Sequence, residues 1–148
     1  MSKEERLAHG MRIPIINLYS NLIVPIQGML PDFVMTQLQD DVARRIVSDG
    51  AEGLIIDVSG VSVMDSYVTR VVRDLALTAK LMGVRTVLSG IQATVAMTLV
   101  EMGLDIPGIK TTLNLERALE YLDEQAMAEN DDPLGERRNP RGDADVFR

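Results

Sequence analysis

Residues 54–67 constrain this chain more than any other stretch. Leu54-Ile55-Ile56 is a short apolar run that ends in an acid, Asp57. A loop dominated by small residues, Val58-Ser59-Gly60-Val61-Ser62-Val63, follows, and Met64-Asp65-Ser66-Tyr67 then opens a long amphipathic segment. The near-continuous apolar run over 53–58 predicts a strand covered on both faces. The pattern puts the Ser66 hydroxyl at the start of a helix, beside the end of that buried strand. Free backbone N–H groups gather at such a point and suit an oxyanion.

Strand and helix signals alternate along the rest of the chain. Residues 13–18 and 22–27 read as two short strands around a turn at Tyr19-Ser20-Asn21. Pro25 lies inside the second run and cannot donate to a ladder, so an edge or a bulge is expected there. Pro31-Asp32 marks a helix start. Met35, Leu38, Val42 and Ile46 then recur at helical spacing, and Gly50 is the expected stop. The next helix spans 66–82, with an apolar stripe of Val68, Val71, Val72, Leu75, Ala79 and Met82, and ends at Gly83. Thr69, Arg70, Arg73, Asp74 and Lys80 fall outside that stripe. A strand over 84–89, a helix over 92–102 closed by Gly103, and a strand over 108–113 follow. Asn114 should cap a last helix carrying Leu115, Ala118, Leu119 and Leu122 on one face. The order β-β-α-β-α-β-α-β-α predicts an α/β fold with a mixed, mostly parallel sheet and helices mainly on one face.

Composition narrows the function classes. The 148-residue chain suits one domain with tails: a flexible segment over 1–11, a domain over 12–128, and a disordered tail over 129–148 where periodicity vanishes. Aromatic content is 3% with no Trp, so the core must be aliphatic; there is no Cys for a disulfide or a thiolate metal site. A net charge of −7 disfavours nucleic acid and anionic membranes as partners. No apolar run approaches the roughly 20 residues of a membrane span. The first ten residues are charged rather than signal-like, so a cytoplasmic location is expected.

Ser66 is the sharpest chemical candidate. It reads either as a phosphorylation site or as an N-cap whose hydroxyl satisfies a backbone N–H, and the two roles are compatible. Asp57 could be a phospho-acceptor like that of receiver domains. That chemistry needs further acids to hold Mg²⁺ and a Lys to contact the phosphoryl group. The neighbouring strand ends lack them, so Asp57 is expected to accept hydrogen bonds from loop N–H groups instead. Asp65 could serve Ser66 as a base, but that needs a His or Lys relay and the one His, His9, lies in the N-terminal segment, so Asp65 reads better as a helix-start acid or as a recognition feature for a kinase. No catalytic residue, metal site or cofactor is expected. Ser89-Gly90-Ile91-Gln92-Ala93-Thr94 lacks the glycine pattern of a nucleotide loop and is expected to pack beside the Asp65-Ser66 loop. The nine Met residues suit an adaptable interface, yet Met35, Met82 and Met102 fall on apolar stripes and read as core filling.

The segment Ile55-Ile56-Asp57-Val58-Ser59-Gly60-Val61…Met64-Asp65-Ser66 resembles the signature of the STAS domain, the fold of bacterial anti-sigma factor antagonists. Ile13-Pro14-Ile15, Lys80-Leu81-Met82-Gly83 and Gly90-Ile91-Gln92-Ala93-Thr94-Val95-Ala96 match as well, and the element order agrees over about 12–127. Asp65-Ser66-Tyr67 departs from the Asp-Ser-Ser/Thr-Gly of freely diffusing antagonists and is similar to the Asp-Ser-aromatic form of small stressosome scaffold proteins. The resemblance implies a non-enzymatic scaffold that sequesters a serine/threonine switch kinase and releases it when Ser66 is phosphorylated. It implies co-assembly with larger STAS-containing sensor proteins into a large hetero- or homo-oligomer, reset by a phosphatase. The alternative is a freely diffusing antagonist that binds an anti-sigma kinase. Asp57 and Asp65 would support the site, and Tyr67, Thr69, Arg70, Arg73, Gly90 and Gln92 would contact partners. Thr69, Arg70 and Arg73 are expected on the exposed side of their helix.

Overall fold

The computed structural model describes Lys3 and residues 12–27, 30–101 and 108–130. Among the described residues from 12 onward, five strands and four helices follow in the expected order. They are β1 (Ile16–Leu18), β2 (Asn21–Gln27), α1 (Asp32–Asp49), β3 (Gly53–Gly60), α2 (Ser66–Leu81), β4 (Arg85–Ser89), α3 (Ala93–Glu101), β5 (Lys110–Thr112) and α4 (Leu115–Asn130). The strands form one sheet in sequence order, with β1 antiparallel to β2 and every other pair parallel. Each parallel step moves to the next neighbour in the same direction. Right-handed crossovers therefore bring α1, α2 and α3 to the same face.

Side-chain alternation confirms that layering. Leu22, Val24 and Ile26 of β2, Leu54, Ile56 and Val58 of β3, and Leu88 of β4 share one buried cluster with α1, α2 and α3. The alternate positions Ile23, Ile55 and Val87 are also buried and lie in one cross-strand row that continues to Lys110. Burial on both faces is why β3 reads as an unbroken apolar run. Pro25 falls where the β2–β3 register shifts, and β1 pairs no further along β2 than Ile23, so the missing N–H interrupts no β1 ladder.

Local signals explain most boundaries. Met35, Leu38, Val42 and Ile46 are all buried, and α1 ends at Gly50. On α1, Arg45 pairs with Asp49, and Asn17, Arg45 and Ser48 together hold the Asp49 carboxyl below its usual range. Asn114 Oδ1 accepts from the Arg117 N–H at 2.9 Å and so caps α4. The strands β1 and β5 are shorter than expected, at three residues each. Ile13 and Ile15 pack half-buried against the core without joining the ladder. Met82, expected in the stripe of α2, is 38% exposed, because the helix stops at Leu81 and Met82 leaves its path as the C-cap.

The chain divides into two compact units, Met1–Ala118 and Leu119–Arg148. Over its described residues the second unit is the remainder of α4. That helix runs to Asn130, so Glu129 and Asn130 are helical rather than part of a disordered tail. The other tail residues, the segment 1–11 apart from Lys3, and the helix end at Met102 and Gly103 lie outside the described residues. Among the described residues no helix is long and apolar enough to cross a membrane.

Candidate functional site

Two crests meet at the carboxyl ends of the central strands: the β3–α2 loop and the β4–α3 turn. The first is pinned from below. Val61 and Met64 are buried, and the Val61 N–H donates to the Val58 carbonyl at 2.9 Å. Their neighbours Ser62, Val63, Asp65 and Ser66 face solvent. A loop with two buried anchors presents its exposed residues in a fixed way. Val61 and Met64 stand in the sequence signature without an anchoring role; their apolar side chains within a small-residue loop are the signal that could have assigned it.

Asp65, not Ser66, is the N-cap of α2. Its Oδ1 accepts from the Val68 N–H at 2.9 Å. This corrects the expectation that the serine hydroxyl serves the cap; Ser66 is instead the first helical residue. Its hydroxyl is exposed and makes no hydrogen bond to any described residue. The division of labour has a measurable consequence. Asp65→Ala should cost about 1 kcal/mol of stability through loss of the cap, while Ser66→Ala should change it by less than about 0.5 kcal/mol. Urea denaturation of the two variants reads this directly, and a larger loss for Ser66→Ala would return the capping role to the serine.

Thr69 is the clear correction among the partner-contact candidates. It is buried, at 4% exposure, and its hydroxyl donates to the Asp65 carbonyl at 2.8 Å. Bonding back to the residue four positions earlier lets a threonine sit in the apolar stripe without an orphan hydroxyl. Tyr67 is half-buried and its hydroxyl donates to the Asp32 carbonyl at 3.3 Å, tying the start of α2 to the start of α1. Burial, reinforced by Asp32, pushes the Tyr67 phenol above its usual range. Arg70 and Arg73 are exposed, as expected.

The β4–α3 turn is fastened to the end of β3. Gln92 Nε2 donates to the Ser59 carbonyl at 2.8 Å. Gly90 has φ +82°, and a methyl group on it would lie 2.9 Å from Ser59 Cβ and 3.2 Å from Asp57 Oδ1. Asp57 Oδ1 accepts from the Ser59 N–H at 3.0 Å, the loop-ordering role expected of it. Gly90 and Gln92 thus brace the loop that carries Ser66, and the exposed Gln92 has its amide committed to Ser59.

This arrangement can receive an anionic group at Ser66. Ser66 lies at the positive end of α2, where a helix favours an anion by about 0.3–1 kcal/mol. The adjacent carboxylate, Asp65, is already engaged by a backbone N–H, and His9 lies outside the described residues. Among the described residues no grouping of three or more His, Asp or Glu could hold a metal ion, at Asp57 or elsewhere.

Comparison with known proteins places these features in a family. The model of the STAS domain matches residues 12–118. A solved serine-to-glutamate variant of Moorella thermoacetica RsbS is 38% identical and superposes with a TM-score of 0.70, covering 78% of this chain and 98% of that one. A chain from the molecular architecture of the stressosome, a signal integration and transduction hub, is 39% identical with a TM-score of 0.69, covering 76% of this chain and 98% of that one. The RsbT co-antagonist protein RsbRB of Bacillus subtilis is 35% identical over 113 residues, 73% of this chain but 39% of its own length. The chain thus spans about two fifths of the length of such curated relatives.

Proposed function

Since the chain belongs to the STAS domain family, we propose that it is a non-enzymatic scaffold and regulator of a bacterial stress-signalling assembly. It captures a serine/threonine switch kinase while Ser66 is unmodified and releases it when Ser66 is phosphorylated. Larger STAS-containing sensor proteins co-assemble with it, a phosphatase resets it, and the assembly is cytoplasmic. The similarity to RsbS, to a stressosome chain and to an RsbT co-antagonist protein supports this setting.

One observation carries the reading: an exposed, unengaged hydroxyl at the first residue of a helix whose cap is supplied by its neighbour. A phosphate there adds about −1.5 to −2 charge. In the free protein, water and the helix end accommodate it, with Asp65 opposing locally. In a dry interface the same charge loses its water without a guaranteed partner, at a cost of several kcal/mol. About 2.7 kcal/mol already weakens binding a hundredfold. The modification therefore switches a partner without refolding the domain.

Incubation with the cognate kinase and ATP, followed by mass spectrometry, tests the site. Phosphate should appear on Ser66, and Ser66→Ala should abolish incorporation while retaining the kinase persistently. Undiminished incorporation into Ser66→Ala would remove Ser66 from the mechanism.

A further inference from the structure

The outward face of α2 carries more than its first residue. Ser66, Arg70, Arg73, Leu77 and Leu81 follow at spacings of four, three, four and four, so they line one side of the helix. All five are exposed, and Leu77 and Leu81 keep 53% and 79% of their surface in solvent. Among the described residues neither arginine forms an ion pair. Arg12, Arg44 and Arg45 each pair with an aspartate, whereas Arg70 and Arg73 have no carboxylate of a described residue within 4.0 Å. Asp65 is occupied by the Val68 N–H, Asp74 is half-buried, and Asp32 faces Tyr67. A stripe with two unpaired guanidinium groups on a chain of net charge −7 selects a partner of opposite local charge.

Building on the reading of Ser66 as the switch, we infer that this stripe is the docking surface for an acidic patch of the kinase, and that Arg70 is its detachable anchor. In the unmodified chain Arg70 and Arg73 meet carboxylates of the partner, and Leu77 and Leu81 cover apolar side chains. Arg70 lies one turn from Ser66, where residues four apart are neighbours. A phosphate on Ser66 presents acceptor oxygens to that guanidinium and forms a charge-assisted pair with it. Phosphorylation then acts twice: it places a charge in the interface and withdraws the arginine from the partner.

Two measurements on the full chain test this. Phosphoserine is installed at position 66 by codon reassignment, so the test does not depend on the kinase's own specificity. In a ³¹P titration its second pKa, near 6 when unperturbed, should lie lower in the parent than in Arg70→Ala; identical titrations overturn the inference. Kinase affinity is then measured for the unmodified and phosphorylated forms of both chains. Arg70→Ala should weaken capture of the unmodified chain about tenfold, and phosphorylation should weaken Arg70→Ala by a smaller factor than it weakens the parent. Factors that simply multiply overturn the inference. So does a Leu77→Ser variant that loses self-association while capturing the kinase normally, because a second copy then occupies the stripe. A parent chain that captures no kinase sinks the proposed function itself. A phosphate indifferent to Arg70, in a chain that still captures the kinase, sinks only the clamp.

Discussion

Ser66→Asp is expected to weaken capture of the kinase between tenfold and a hundredfold while moving the thermal midpoint by no more than a few degrees. The two halves have separate causes. The side chain at 66 faces solvent and holds no other described residue in place, so its replacement removes no packing and no hydrogen bond among those residues. A carboxylate in the first turn of α2 gains slightly from the helix end and loses slightly to Asp65. A net change below about 0.5 kcal/mol corresponds to a midpoint shift of roughly 2 °C for a domain of this size. In the interface the carboxylate must shed water, and aspartate carries only part of the charge of phosphate, so the loss should stop short of that caused by phosphorylation. Isothermal titration against the kinase and differential scanning calorimetry read the two effects independently. Unchanged affinity would put Ser66 outside the docking surface, and a large drop in midpoint would make it a structural residue.

The framework of the fold was legible because it is written in periodicity. Met35, Leu38, Val42 and Ile46 recur at 3.6-residue spacing and are buried; the run over 53–58 lacks alternation because β3 is buried on both faces. What stayed hidden depended on a shift of one residue or on a local bond. Asp65 and Ser66 are adjacent and both are good caps, so only the observed Val68 N–H contact decides between them. Thr69 looks like a surface residue until its hydroxyl is seen to bond back to Asp65. Leu77 and Leu81 are apolar yet exposed, and a search for the buried stripe of α2 passes over them. The bracing of the Ser66 loop by Gly90 and Gln92 was anticipated only as packing beside it. The close approach to Ser59 is a long-range fact that no sequence period encodes. Periodicity thus reveals which face is buried, and tertiary contact decides what the exposed face can do.

Gly90→Ala should destabilise the domain by about 2–4 kcal/mol, and Gly83→Ala by only about 1–2 kcal/mol. The backbone conformation is the same at both: φ is +82° at Gly90 and +81° at Gly83, so the cost of holding an L-residue in the left-handed region cancels in the comparison. The surroundings differ. Nothing lies within 4 Å of a methyl at position 83, but at position 90 the methyl would meet Ser59 Cβ at 2.9 Å and Ser59 Cα at 3.2 Å. Those atoms belong to β3, which is hydrogen-bonded to β2 and β4 and cannot give way as a flexible side chain would. The turn must lift instead, stretching the 2.8 Å bond from Gln92 to the Ser59 carbonyl. Displacement there passes through Ser59 and Gly60 into the loop that positions Asp65 and Ser66. Gly90→Ala should therefore also weaken kinase capture in the fraction that remains folded, and by more than Gly83→Ala, which does not touch the loop that positions Ser66. Urea denaturation measures the first difference and titration calorimetry the second. Equal losses of stability would mean that the Gly90–Ser59 approach relaxes freely. Equal capture would mean that the β4–α3 turn does not hold the Ser66 loop in place.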